Sequence, residues 1–514
     1  MKKAKTCYIT TPIYYPSGNL HLGHLYSTTI AWTLRNYKQK MGYDVLFGTG
    51  SDEHGQKIQK KAEEMKLSPQ EYVDKQTQIF ISFWEKSKID YDLFSRTTNE
   101  EHKNSIEKVF NFLLDKKFIY KGNYNGLYSI NDEEFVSEKD AIKKDDKFFH
   151  PTSNHLLEII QEESYFFKMN EFSKWLVDYN KKNPNFVIPA KIWNELKKNF
   201  MDKNLEDLSI TRVSFTWGIK INKDPKHVVY VWLDALFSYL TALNWSPDKE
   251  SENYLKYWKN GDEIIHVVGK EISRFHCIYW PIFLEALNIK MPTHILSHGW
   301  LITPQGKMSK SKGNVINPLD LIEKYDIEVI KYFLVSQINI FNDGVFDEKL
   351  LINTYNSDLA NTIGNLVSRV AAMIHQSFNA PVKFGTTNEE IDKDVLKSII
   401  ESFEQYKTYF DEFQFDKAFS ATINLAKDLN KYIDLTTPWL LKDDLVRLEK
   451  VLNTLLNGIY AVLSMIEVIM PNNSQELLKT LNLKDLLFSE INNFKKFDKT
   501  KINEHTIIFS RLKV

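Results

Sequence analysis

Cysteine is scarce: 514 residues contain only Cys7 and Cys277. That excludes a disulfide framework and any zinc centre built on three or four thiolates. Long apolar runs are missing too. The stretch 461–470 is broken by Ser464 and Glu467, and falls short of the ~20 residues a membrane span needs. No charge of one sign prevails, since 66 Lys and Arg face 67 Asp and Glu for a net charge of −1. A global basic field is therefore absent, and any RNA-binding surface has to be a local patch. Two lysines stand near the start, but the residues after them read as a strand and not as a signal segment. The expectation is a soluble protein of a reducing compartment with no membrane partner.

What is present looks globular. Hydrophobic residues make up 43% and charged residues 26%, and this length fits about three folded units. Residues 8–13 are β-branched and aromatic, as a strand requires. A turn with Pro16 and Gly18 follows, then a helical pattern from Leu22 to Met41 that stops at Gly42. Residues 45–47 read as a second buried strand, and a Lys/Glu-rich helix begins near Gly55. Strand, helix and strand at this spacing make a βαβ unit, hence a parallel sheet. Residues 116–230 read as an insertion, with short strands near 126–130, an Asp145-Asp146-Lys147 charge run and an amphipathic stretch 166–176. The apolar run 228–233 and the strand 264–268 then supply the second half of the sheet. After about residue 350 the pattern is helical: Ile363, Leu366, Val367, Val370 and Ile374 share one spacing, and Leu452, Leu455, Leu456, Ile459 and Leu463 another.

Two short motifs carry chemistry. His21-Leu22-Gly23-His24 falls where the first helix begins, so free N–H groups and the helix dipole there favour phosphate. Gly23 leaves room for an adenine against the backbone, and two imidazoles on one turn can donate to charge growing on an α-phosphate. Read alone, so short a motif is more often a pair of surface histidines. Lys307-Met308-Ser309-Lys310-Ser311 lies between Gly306 and Gly313, and its lysines and hydroxyls suit a departing pyrophosphate. Its bland alternative is a solvated basic loop.

In this order, the two motifs resemble the signature pair of class I aminoacyl-tRNA synthetases. The text around them is similar to the methionyl-tRNA synthetases in particular. The matching stretches are residues 10–24, Asp52-Glu53-His54-Gly55, Tyr230-Val231-Trp232-Leu233-Asp234-Ala235, His266-Val267-Val268-Gly269-Lys270, Phe275-His276 and His298-Gly299-Trp300. The resemblance runs from residue 6 to the C-terminus. It implies an α/β fold: a Rossmann-like catalytic domain with a parallel sheet, an inserted connective domain, and a C-terminal α-helical bundle for anticodon binding. The boundaries it implies are 1–115 and 231–296 for the two catalytic halves, 116–230 for the insertion, 297–350 for the Lys307–Ser311 loop and stem-contact region, and 351–514 for the bundle.

The implied activity is that of an ATP-dependent ligase. It forms methionyl-adenylate, transfers methionine to the 3′ end of tRNA(Met), and so supplies initiator and elongator tRNA for translation. Asp52 would hold the α-ammonium of L-methionine, while Ile13, Tyr15, Trp232, Ala235, Tyr239, Ile272 and His276 would line the thioether pocket. Aromatic and aliphatic walls suit a soft sulfur, although Trp232 and Tyr239 read alone as ordinary core. His21, His24, Lys307 and Lys310 would be catalytic. ATP would meet Tyr15, His21, Gly23, His24, Gly269, Glu271, His298, Lys307 and Lys310, with Mg²⁺ accompanying its phosphates.

Two positions depart from the family pattern: Leu236 at the pocket edge, and Glu271 where aspartate is usual. In the helical third, Asn365 and Arg369 lie four apart on one face, and Trp439 follows Pro438. These match the family's anticodon readers, and stacking with hydrogen bonding suits splayed bases. Many relatives carry cysteine zinc knuckles in the insertion. Here residues 116–230 hold no cysteine, and His150 and His155 with Asp145 and Asp146 read as solvated loop, so no metal site and no structural zinc are expected. A monomer in the bacterial cytoplasm is expected, with an organellar matrix as the alternative.

Rival readings are few. Branched-chain class I synthetases need a large editing insertion, and the cysteine enzyme needs thiolate ligands. A catalytically dead RNA-binding paralogue has no need of His21, His24, Lys307 and Lys310. A small nucleotidyltransferase has no need of the helical third.

Overall fold

The computed structural model describes residues 3–129, 134–136, 138, 141–151, 153–202, 205–307, 315–378, 389–483, 485–497, 501–503 and 508–513, with the side chains of Glu134, Phe135, Val231 and Lys307 outside the description. It divides into two compact units, Met1–Leu20 with Asp44–His298 and His21–Tyr43 with Gly299–Val514.

The first unit is organised by a six-stranded sheet of β1 (Thr6–Tyr14), β2 (Asp44–Ser51), β3 (Leu93–Arg96), β6 (Val187–Ile188), β7 (Glu263–Gly269) and β8 (His294–His298). Their order is β3-β2-β1-β7-β8-β6, and every neighbouring pair is parallel. Strands covered on both faces need continuous apolar runs. Accordingly Cys7, Tyr8 and Ile9, and Ile264, Ile265, Val267 and Val268, are buried without alternation. The chain leaves β1 toward β2 and β3 on one side, and β7 toward β8 on the other. The strand order therefore reverses between β1 and β7, which opens a ligand crevice at their carboxyl ends.

Helices α2 (Gln56–Glu64), α3 (Pro69–Lys86) and α4 (Glu100–Asp115) follow β2 in the chain. The insertion is built on a long antiparallel pair, β4 (Ile119–Ser129) with β5 (Leu156–Phe167). The run 228–233 departs from the sequence expectation. Only Val228–Val229 is strand, it pairs with Thr211–Arg212 and not with the large sheet, and the helix α5 (Val231–Thr241) begins directly after it. A short apolar run fits a buried helix as well as a strand. Here the apolar text continues all round the helix, which buries Leu233, Leu236, Phe237 and Leu240.

The second unit contains α1 (Leu22–Lys40) and a small sheet in which β9 (Leu301–Thr303) lies between β10 (Gly306–Lys307) and β11 (Gly344–Val345). The rest is helical: α6 (Ile327–Ser336), α7 (Asn365–Ser377), α8 (Glu390–Asp411), α9 (Phe415–Thr436), α10 (Leu445–Ile466) and α11 (Pro471–Thr480). The spacing read in the sequence falls on α10, where Leu452, Leu455, Leu456, Ile459 and Leu463 are all inside, in a helix that is buried on every side from Val451 to Ile466. Tyr37 of α1 stacks on Phe410 at 4.3 Å, an aromatic pairing that adds to the area it buries. Glu328, fully buried, accepts from the backbone N–H and side-chain amide of both Asn472 and Asn473. A carboxylate there complements the positive end of α11.

Candidate functional site

The pocket residues of the first unit come from three carboxyl-end segments and one helix. Ile13 and Tyr15 end β1, Asp52 follows β2, and Ile272 and His276 follow β7. Trp232, Ala235 and Tyr239 stand at i, i+3 and i+7 of α5 and so share a face. Several of them touch. The Tyr239 hydroxyl lies 2.7 Å from His276 Nε2, and His276 Nδ1 lies 3.0 Å from the Ile272 carbonyl. A carbonyl only accepts, so Nδ1 carries the proton and Nε2 accepts from the phenol. Burial lowers the His276 pKa to about 4, against a small opposing effect of the Ile272 bond. The ring is therefore neutral at pH 7 and suits a thioether. Tyr239 also stacks on His266 at 4.1 Å, and Trp232 on Phe275 at 3.5 Å. Ile13 and Tyr239 border one small cavity with Thr10, Thr11 and Thr49.

Asp52 is buried, and its N–H donates to the Tyr14 carbonyl at 3.0 Å. Its neighbours are held more firmly. The Glu53 carboxylate, fully buried, accepts from Ser51 Oγ at 2.5 Å, Thr77 Oγ1 at 2.7 Å, Arg96 Nε at 2.7 Å and Nη2 at 3.0 Å, and Thr98 Oγ1. His54 Nδ1 lies 2.6 Å from Asp234 Oδ2. The other oxygen of Asp234 lies 2.6 Å from His102 Nε2. The motif text contained Glu53, His54 and Asp234, but nothing in it signals that residues 132 and 180 apart in sequence meet. Arg96 and His102 were missed altogether.

Gly269 ends β7 and Glu271 stands exposed in the turn after it. A Cβ placed on Gly269 would lie 2.5 Å from Glu271 Oε1, so the longer carboxylate folds back over the glycine. His298 ends β8 and is buried.

In the second unit, His21 is the N-cap of α1. Its Nδ1 accepts from Gly23 N–H at 3.0 Å, while His24 Nδ1 accepts from His21 N–H at 2.9 Å. This reciprocal arrangement is a capping box made of two histidines. A ring that accepts at Nδ1 carries its N–H on Nε2. Gly23 permits it, since a Cβ there would come within 2.9 Å of the His21 ring. Lys307 pairs with Ile302 in the backbone of β10; Lys310 lies outside the described residues.

Asn365 and Arg369 sit in the first turns of α7. Arg369 Nη2 donates to Asp434 Oδ1 at 2.9 Å, tying α7 to the end of α9, just before the turn Pro438–Leu440 that presents Trp439 45% exposed.

In the insertion, His150 and His155 pair through their backbones in a turn. Among the described residues a different cluster, Glu163, Asp224 and His227, has metal-like spacing. Lys121 Nζ lies 3.0 Å from Glu163 and 2.7 Å from Asp224, and Lys226 Nζ lies 2.5 Å from Glu163. Hydrogen bonds from Lys226, Lys121 and His227 bring the Glu163 carboxyl down to about 2.

A parallel sheet whose strand order reverses between β1 and β7 is the frame of the nucleotide-binding α/β class. The family model for tRNA synthetases class I (M) matches residues 7–144 and 151–371, and that for the anticodon-binding domain of tRNA ligase matches residues 392–511. The methionine–tRNA ligase of Mycoplasmopsis pulmonis (strain UAB CTIP) is 56% identical over 510 residues, covering 99% of this chain and 100% of that protein. That of Ureaplasma parvum serovar 3 (strain ATCC 700970) is 42% identical, covering 100% and 99%. A Mycobacterium tuberculosis methionyl-tRNA synthetase in complex with methionyl-adenylate matches with a TM-score of 0.94 at 30% identity, covering 99% of this chain and 100% of that one. The chain belongs to the methionyl-tRNA synthetase family of class I aminoacyl-tRNA synthetases.

Proposed function

We infer that the chain is a methionine–tRNA ligase. The methionine carboxylate attacks the α-phosphate of ATP and pyrophosphate leaves, giving methionyl-adenylate. The 3′-terminal hydroxyl of tRNA(Met) then takes the methionyl group and AMP leaves. The observation that carries this reading is the full-length likeness to methionine–tRNA ligases, at 56% identity over 99% of the chain.

Within that reading, Asp52 binds the α-ammonium, and Ile13, Tyr15, Trp232, Ala235, Tyr239, Ile272 and His276 surround the thioether. The neutral His276–Tyr239 pair and the aromatic walls support this, since a thioether is soft and nearly apolar. Tyr15, Gly269, Glu271 and His298 serve ATP, and so do Gly23, Lys307 and Lys310. The Nε2–H groups of His21 and His24 stabilise charge on the reacting phosphate. Mg²⁺ accompanies ATP. Asn365, Arg369 and Trp439 read the anticodon. The boundaries given above divide the chain into catalytic halves, insertion, stem-contact region and bundle. The enzyme works as a cytoplasmic monomer without structural zinc; among the described residues no helix is long and apolar enough to cross a membrane.

ATP–pyrophosphate exchange with each of the twenty amino acids, without tRNA, tests the reading. Exchange driven by methionine alone is expected. Exchange driven by another amino acid would refute the pocket assignment.

A further inference from the structure

The Asp234 carboxylate is completely buried, and each of its oxygens is 2.6 Å from a different histidine. The histidines come from different segments: His54 from the loop after β2, His102 from the first turn of α4. His102 Nδ1 in turn lies 2.7 Å from Thr241 Oγ1, at the far end of α5. A carboxylate accepts only, so His54 presents Nδ1–H and His102 presents Nε2–H to it. Burial raises the Asp234 pKa, but the two histidines outweigh it and hold the carboxyl down to about 2. Asp234 therefore stays ionised and keeps both bonds across the whole neutral range.

Successive helix residues point about 100° apart, so Asp234 leaves α5 from a different face than Trp232, Ala235 and Tyr239. It roots the helix while the other face lines the pocket. The partner it grips, His54, is two residues from Asp52. The intervening Glu53 is tied on its own side to Ser51, Thr77, Arg96 and Thr98, and its carbonyl accepts from Trp217 Nε1 at 2.6 Å. The Asp52 segment is thus pinned once to the strand side and once to α5.

We propose that Asp234 is a positioning residue for methionine, fixing through His54 and His102 the distance between the Asp52 carboxylate and the pocket face of α5. It rests on the reading that Asp52 holds the α-ammonium and that α5 holds the side chain. A bridge of this kind acts on ground-state binding of one substrate, because its two ends carry the two ends of methionine.

The test is steady-state ATP–pyrophosphate exchange by the full chain, with methionine and ATP varied separately. Asp234→Asn is expected to raise the KM for methionine about tenfold or more, with the KM for ATP and kcat each within about threefold. His54→Asn keeps an N–H donor where Nδ1 stands and is expected to retain most of the methionine affinity. His54→Gln places its donor too far along the chain and is expected to match Asp234→Asn. In an Asp52→Ala background, Asp234→Asn should add little, since coupled groups are not additive. If Asp234→Asn does not fold, the His54 pair and His102→Gln, which keeps a donor at the Nε2 position, carry the test. An unchanged methionine KM in Asp234→Asn, equal losses for both substrates, or identical behaviour of His54→Asn and His54→Gln would overturn the proposal while methionine-driven exchange by the wild type leaves the reading of function standing. Absence of that exchange in the wild type would overturn both.

Discussion

His21 and His24 face each other with ring centroids 3.9 Å apart, and the Nδ1 atom of each accepts a backbone N–H at the start of α1. The same two rings thus cap a helix with one nitrogen each, and the proposed contact with the reacting phosphate falls to the other. The two tasks separate by mutation. Asparagine is among the best N-cap residues but has nothing where Nε2 stands. His21→Asn is expected to leave thermal stability close to wild type and to slow adenylate formation about 10²–10³-fold, the loss typical of one transition-state donor. Single-turnover kinetics with thermal melting would show it. A matching fall in melting temperature would make His21 a capping residue and nothing more.

Arg96 is the cation that compensates Glu53, a carboxylate with no exposed surface. Removing one partner of a buried pair leaves an uncompensated charge, at a cost of about 3–5 kcal/mol. Arg96→Leu is expected to lower unfolding free energy by that amount in urea titrations. Arg96→Lys should recover only part of it, since one ammonium cannot reproduce the two-pronged contact.

His276 sets a pH dependence. Burial holds its pKa at about 4 in the folded chain, below the ~6.5 of an unfolded histidine. Between these values the unfolded chain binds the extra proton, so stability rises with pH through the window. The contribution is complete above pH ~6.5 and is lost as pH falls toward 4, with a full span of about 3 kcal/mol. His276→Gln should flatten the urea-measured stability difference between pH 7 and pH 5. Some slope should persist, because burial also pushes the pKa of His266 well below its usual value.

Trp439 makes the anticodon assignment testable. Because it is 45% exposed, Trp439→Ala should leave folding intact. Stacking of one base on an aromatic ring is worth about 1–3 kcal/mol, so tRNA charging should fall about ten- to a hundredfold in kcat/KM while methionine-dependent pyrophosphate exchange is spared. Equal loss in both assays would remove Trp439 from tRNA recognition.

Local features were legible in the sequence wherever one period dominated. The helix from Leu22 and the α10 spacing follow from a period of 3.6 residues, while the strand at 8–13, buried without alternation, shows only in its β-branched and aromatic residues. The run 228–233 failed because six apolar residues carry no period, and the helix emerges only from the text after it. The buried polar connections failed for a different reason. Thr77, Thr98 and Arg96 around Glu53, and His102 at Asp234, are joined across 24 to 132 residues, and each alone is an ordinary polar residue. The histidine capping box was hidden by its chemistry, since Ser or Thr followed by Glu is the pattern that usually signals one.

The cluster of Glu163, Asp224 and His227 has a consequence for how the insertion is supplied with charge. Its counterions are Lys121 and Lys226, side chains of the same polypeptide and close neighbours in the fold. Their number is fixed at translation, and neither dilution nor a chelator can strip them away. Whatever the cell's metal quota, the charge balance of this cluster is inherited with the gene.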